Sequence, residues 1–153
     1  ISGVGVFPSE IEQLIETVKL MPAEPPQIGY FFKATQHGLG LVEEAKKIAK
    51  EVWNQKFLWV KTSQLDMYDI QLMLIEHAKE MEPTTFIFDE MEKLSDEMRN
   101  FIFYRFSTNR KEYLHPSCHV IYIVNPDENE YYQNPWNDYV MLHSMEFNVE
   151  AQN

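Results

Sequence analysis

The chain has 153 residues, 44% hydrophobic and 14% aromatic, which is enough apolar material for one domain with a sizeable core and too much for a disordered chain. Thirteen basic against 24 acidic residues give a net charge of −11, which disfavours sequence-independent binding to a nucleic-acid backbone. A lone cysteine, Cys118, excludes an internal disulfide and a cysteine-rich zinc site and leans towards a reducing, cytoplasmic setting, and no apolar stretch approaches the length of a membrane span.

From the amino end, Ile1-Ser2-Gly3 does not read as a secretory leader, and the missing initiator Met is what a fragment would show. Ser9 stands ahead of Ile11, Leu14, Ile15, Val18 and Met21 at helical spacing, with Glu10 and Glu12 alongside. This predicts a capped amphipathic helix closed by Pro22, whose apolar stripe needs a sheet to cover. Pro25-Pro26 leads into Ile28-Gly29-Tyr30-Phe31-Phe32, a first strand. A turn with two glycines follows, Ala34-Thr35-Gln36-His37-Gly38-Leu39-Gly40-Leu41. A helix from about Leu41 to Trp53 then puts Leu41, Ala45, Ile48, Ala49 and Val52 on one face and Glu43, Glu44, Lys46, Lys47 and Lys50 towards water. Strand, glycine turn and helix are the outline of a phosphate-binding unit.

Phe57 to Lys61 reads as a second strand, followed by the polar Thr62-Ser63-Gln64. A helix then runs through Ile70, Leu72, Met73, Ile75, Ala78 and Met81 until Pro83 stops it. Asp66 suits its N-cap and Asp69 its first turn. Thr84-Thr85-Phe86-Ile87-Phe88-Asp89-Glu90 is too short for a helix and ends in adjacent carboxylates: a buried strand that delivers its charges at the carboxyl edge of a sheet, where open α/β sheets bind ligands. Ser95 caps a further helix carrying Met98, Phe101, Ile102, Tyr104 and Phe106. His119 to Val124 is a fourth strand, ending in Asn125-Pro126. The acidic, aromatic stretch from Asp127 to Asn137 has the character of a loop, and Met145 to Val149 of a short fifth strand. Alternating strands and helices without repeats or linkers predict a single α/β domain over residues 1–153: a three-layer sandwich with a mainly parallel five-stranded sheet.

A glycine turn after the first strand, Asp-Glu after the third and Asn after the fourth resemble the arrangement of AAA+ ATPases, whose large domain is of P-loop NTPase type. Pro22-Ala23-Glu24-Pro25-Pro26, Ser63-Gln64-Leu65-Asp66-Met67-Tyr68-Asp69, Phe88-Asp89-Glu90-Met91-Glu92-Lys93, Met98-Arg99-Asn100 and Val124-Asn125-Pro126 look like the MoxR-like branch. The resemblance implies that Asp89 and Glu90 are the Walker B pair, Asp89 holding Mg²⁺ and Glu90 orienting an attacking water. It implies that Asn125 is the sensor residue, and that Gly38, Leu39, Gly40, Leu41 and Val42 form the turn that would meet the phosphates of ATP.

That turn departs from the family pattern. Against G-x-x-x-x-G-K-[ST], Thr35 takes the place of the first glycine and Gly40 that of the second, while Leu41 stands where lysine belongs and Val42 where the hydroxyl belongs. Lys33 lies before the turn and Lys46 more than a helical turn beyond it. Leu142-His143-Ser144 also stands where the family carries an arginine for the neighbouring subunit's nucleotide, and no helical lid domain follows. Losing one well-placed electrostatic group costs about 10²–10³ in rate, so losing lysine and hydroxyl together leaves little turnover.

The expectation is therefore a degenerate AAA+ domain serving as a structural or regulatory subunit among other protein subunits, in a ring if the resemblance extends that far, with ATP and Mg²⁺ not firmly implied. Two alternatives stand beside it. One is an active ATPase with an unorthodox loop completed by Lys33 or by a partner. The other is a protein-interaction module that uses Tyr131, Tyr132 and Trp136. His37 reads as a solvated turn residue, His115, His119 and His143 as unrelated, Arg99, Arg105 and Arg110 as solvated helix residues, and Cys118 as buried and without chemistry.

Overall fold

The computed structural model describes residues 5–107, 110, 112–126 and 138–152. The elements in chain order are β1 (Val6–Glu10), α1 (Leu14–Lys19), β2 (Gly29–Ala34), α2 (Leu41–Lys47), β3 (Lys56–Lys61), α3 (Met67–Glu80), β4 (Thr84–Asp89), α4 (Asp96–Arg105), β5 (His119–Val124), α5 (Asp138–Leu142) and β6 (Ser144–Glu150). Single 3₁₀ turns precede α1, α3 and α4, and a π-helical turn, Ile48–Val52, continues α2. Among the described residues no helix is long and apolar enough to cross a membrane.

The six strands form one parallel sheet in the order β1-β6-β2-β5-β4-β3. From β1 through β2 to β3 the chain steps across the sheet in one direction. From β3 through β4 and β5 to β6 it steps back. Because crossovers between parallel strands are right-handed, the two directions must use opposite faces. The packing agrees: Leu14 and Val18 of α1 join Leu41, Ala45 and Ile48 on one face, against Ile87, Ile121 and Phe147. On the other face Ile70, Leu74, Ile102, Phe103 and Val140, from the three later helices, cover Phe31, Phe86, Phe88 and Tyr122.

The sheet has one strand more than the sequence predicts, and its extra member lies just ahead of the predicted first helix, taking in Ser9 and Glu10. Ser9 is buried inside β1 rather than capping a helix, and α1 begins only at Leu14 and ends before Pro22. The reason is tertiary: β1 pairs along its length with β6, and at a sheet edge Pro8 needs no second partner. The predicted short fifth strand is β6, longer than expected and inserted between β1 and β2.

Two of the three predicted helix caps, Asp66 and Ser95, are present. Asp66 accepts from the Asp69 backbone N–H at 2.9 Å while the Asp69 side chain accepts from the Asp66 N–H at 3.0 Å, and Ser95 Oγ accepts from the Met98 N–H. The buried stripe of α3, however, is Ile70, Leu74 and His77, which leaves Leu72 and Ile75 exposed. α4 buries Phe103, and with it Arg99, whose guanidinium pairs with Asp96 at 2.9 Å and donates to the Met91 carbonyl at 3.3 Å; it is not a solvated arginine.

At the amino edge β2 has no room for a side chain at Gly29. A Cβ on Gly29, where φ is +145°, would lie 2.6 Å from the Val120 carbonyl oxygen and 2.9 Å from the Tyr122 ring. Gly29→Ala is expected to cost about 2 kcal/mol or more, lowering the melting temperature of a domain this size by roughly 4–8 °C in a thermal scan.

The same edge holds a polar cluster. Gln55 donates through Nε2 to the Ser117 carbonyl at 2.7 Å, so its Oε1 accepts from Thr85 Oγ1 at 2.9 Å and faces His119 Nδ1 at 3.1 Å. A carbonyl oxygen only accepts, so Nδ1 carries the proton and Nε2 is bare. Nε2 is buried without a hydrogen-bond partner among the described residues, and the ring stacks on Trp53 at 3.8 Å. Burial pulls the imidazole pKa from 6.5 down to about 4. The unfolded chain therefore takes up this proton first as pH falls. Stability from His119 is complete above about pH 6.5 and is lost between there and pH 4, by at most about 3 kcal/mol. Urea titrations across that range are expected to show wild type losing stability relative to His119→Phe.

Candidate functional site

The change of crossover direction fixes where a ligand would sit. After β2 the chain leaves for the α2 face, and after the neighbouring β5 it leaves for the opposite face, opening a crevice between their carboxyl ends. Around that crevice lie the glycine turn after β2, Asn125 after β5 and Asp89 with Glu90 at the end of adjacent β4. The topology thus gathers the three segments singled out in the sequence.

Asp89 follows Ile87 on the α2 face of the sheet and is buried. Its Oδ1 accepts from the Glu90 backbone N–H at 2.8 Å, and its own carbonyl accepts from Thr62 Oγ1. Desolvation is the main cause of a carboxyl pKa above the usual range, reinforced by the charge of Glu90 and opposed by the Glu90 N–H, the Trp59 indole and Lys61. Lys61 is its register partner on β3.

Glu90 sits in the left-handed region with φ +62°, and the turn this makes folds its side chain back. Oε2 accepts from Ser63 Oγ, in the segment after β3, and meets Lys93 Nζ at 3.3 Å. Ser63, then Lys93, hold this carboxyl below its ordinary range. Asn125 is placed by its backbone: its N–H donates to Glu92 Oε1 at 2.9 Å. Glu92 is half-buried, and desolvation raises its pKa, with the charge of Asp89 acting in the same sense. Ser63, Lys61, Glu92 and Lys93 therefore belong to this edge although their types alone assigned them no role. The available signal was spacing, since Glu92 and Lys93 follow Asp89 within one turn.

The glycine turn is open. Gly38 and Gly40 have φ of +80° and +74°, and a Cβ at either would meet nothing within 4 Å. Backbone conformation, not crowding, requires glycine there. Leu39 is half-buried, and His37 is exposed, as expected. Leu41, the first residue of α2, turns inward: it is 4% exposed, packed with Leu14, Ala45 and Ile48, and Val42 rests against the same cluster. Neither offers the crevice a charge or an oxygen. The nearby lysines are engaged elsewhere. Lys33 Nζ lies 2.6 Å from Glu146, and Lys46 pairs with Glu43 at 3.3 Å while lying 4.8 Å over the Trp59 ring.

The remaining candidates lie away from the crevice. His143 is at the amino edge, its carbonyl accepting from the Ile28 N–H at 2.9 Å. Arg105 covers the Phe101 ring at 4.6 Å, and Arg110 Nε donates to the Tyr104 carbonyl. Cys118 is buried, and burial pushes its thiol up to about 11, which leaves little nucleophilic thiolate. Tyr131, Tyr132 and Trp136 lie outside the described residues. Among the described residues no group of three or more His, Cys, Asp or Glu side chains is placed to hold a metal ion. A scan of protein-family models finds no family that matches the chain, and a search of curated proteins finds no significant relative.

Leu41 thus behaves as a core residue. Leu41→Ala is expected to destabilise the domain by about 2–4 kcal/mol, measured by chemical denaturation, as removal of a buried leucine does. A residue whose role was to face phosphate would show little change.

Proposed function

We propose that the chain is a degenerate AAA+ domain of MoxR-like type with little or no ATP hydrolysis, acting as a structural or regulatory subunit of an assembly. The observation that carries this reading is Leu41, buried in the core at the position where the resemblance calls for the phosphate lysine, across a crevice from a retained Asp89. Phosphoryl transfer rests on positioned charge: a lysine on the terminal phosphates and a hydroxyl helping to hold Mg²⁺. Here Asp89 would be the carboxylate offered to a metal, Val42 supplies no oxygen, and Glu90, which would have to orient water, is tied to Ser63 and Lys93. The donor set fits a magnesium nucleotide poorly. What favours descent from a nucleotide-binding domain is the convergence of the glycine turn, Asp89 and Asn125 at one switch point of a parallel sheet.

An active ATPase completed by Lys33 would need that lysine to leave Glu146, a half-buried pair at 2.6 Å. Calorimetric titration with ATP and Mg²⁺ at millimolar concentration is expected to give weak or undetectable binding, and a phosphate-release assay no turnover above background. Tight binding with hydrolysis abolished by Asp89→Asn would overturn the proposal.

A further inference from the structure

The edge of the sheet farthest from β1 offers a second place for a partner, independent of the nucleotide crevice. Among the described residues β3 is the outermost strand and pairs with β4 alone, so along its outer side backbone N–H and C=O groups face away from the sheet. Exposed sheet edges are templates for another strand, and proteins that keep them solitary protect them with charge, bulges or a cover. β3 is charged at its two ends, with Lys56 and Lys61. Between them Leu58 and Trp59 are 40% and 38% exposed, on opposite faces.

The α3 side of this edge is hollow. α3 rotates Ile70, Leu74 and His77 into the core, and a cleft of about 460 Å³ remains between the helix and β3, with Leu58, Leu72, Met73 and Phe86 in its lining. Three carboxylates, Asp69, Glu76 and Glu80, also line it; Lys56 lies 2.6 Å from Glu80 and 3.2 Å from Glu82, and the exposed Lys79 lies 3.6 Å from Glu76, which leaves the acids in excess. The other face of the strand has the reverse character, since Lys46 and Lys50 lie over the Phe57 ring and Lys61 near Trp59. An added strand would therefore meet acids and an apolar cleft on one face, and aromatics with lysines on the other.

A second copy of this chain is a poor occupant. Antiparallel pairing about Leu58 brings Leu58 to Leu58 and sets side by side two α3 faces that each carry Asp69, Glu76 and Glu80. Each copy also carries a net charge of −11, which opposes self-association.

We propose that β3 accepts an extended segment of a partner protein as a seventh strand, in which alternate residues read basic, apolar, basic on the α3 face and neutral on the other. Main-chain hydrogen bonds to β3 supply affinity; the apolar side chain in the cleft and the basic ones beside Glu76 and Asp69 supply specificity.

The probe is the capped peptide Thr-Arg-Val-Leu-Val-Arg-Thr, which presents Arg, Leu and Arg on one face. Its control, Thr-Val-Arg-Leu-Arg-Val-Thr, has the same composition and charge with the arginines on the opposite face. Titration followed by amide chemical shifts is expected to show saturable changes along β3 and α3 for the first peptide and binding at least about tenfold weaker for the second. Glu76→Lys, an exposed substitution that leaves the fold intact, is expected to weaken the first peptide at least about fivefold. Equal binding of the two peptides, shifts centred elsewhere, no binding at millimolar peptide, or a dimer of the chain itself occupying this edge would each overturn the proposal. Because ATP binding is not read in this experiment, its failure leaves the proposed function untouched.

Discussion

The arrangement of this molecule depends on one steric rule, the right-handedness of crossovers between parallel strands. Given that rule, a chain that steps outward from β1 to β3 and then back to β6 must divide its helices between two faces, and the connections after neighbouring β2 and β5 leave in opposite directions, a reversal of course at the carboxyl edge. The reversal creates the only crevice at which the glycine turn, the β4 acids and Asn125 approach one another among the described segments. It also places β2 inside the sheet between β5 and β6, with Tyr30, Phe31 and Phe32 all buried. Gly29 belongs to the same constraint, because the strand beside it leaves no room for a side chain.

Within that frame the crevice is lopsided. On the β4 side the carboxylates are held by a network that extends from Ser63 through Glu90 to Lys93, and from Glu92 to the backbone of Asn125. On the α2 side the turn keeps the left-handed glycines and the helix start but gives its first side chain to the core. The packing of Leu41 with Leu14 and Ile48 stabilises the α1–α2 layer through apolar burial, an energy a phosphate-facing lysine would not supply. On the proposed reading a ligand contact has been exchanged for a core contact, which suits a domain that holds a shape within an assembly. The docking edge proposed at β3 is a physically separate surface.

Much of the candidate site was legible from local pattern. Asp89 and Glu90 end an apolar run too short for a helix, and a run of that length with both faces buried is a central parallel strand; the structure buries all six residues of β4. The glycines at 38 and 40 fall where φ is positive, which is why the turn could be read. Contacts between distant segments were not legible. Nothing in the type of Ser63 says that it will bind Glu90, because that pairing needs β3 and β4 to be neighbours. His119 looked unremarkable for the same reason, since its partners Gln55 and Trp53 come from a different part of the chain.

By itself the sequence determined the local elements: the parallel α/β alternation, the Asp66 and Ser95 caps, the glycine turn and the acid-terminated strand. Periodicity, turn residues and capping groups act over a few residues, so these features are written where they occur. Tertiary structure alone decided that Val6–Glu10 becomes an edge strand, because a strand at the margin exists through its partner β6. It also decided which side of each helix is buried. In α3 the choice of Ile70, Leu74 and His77 leaves Leu72 and Ile75 outside, and in α2 Leu41 turns into the core rather than towards the crevice. A leucine carries no mark of which way it will face; the surfaces it can be packed against choose for it.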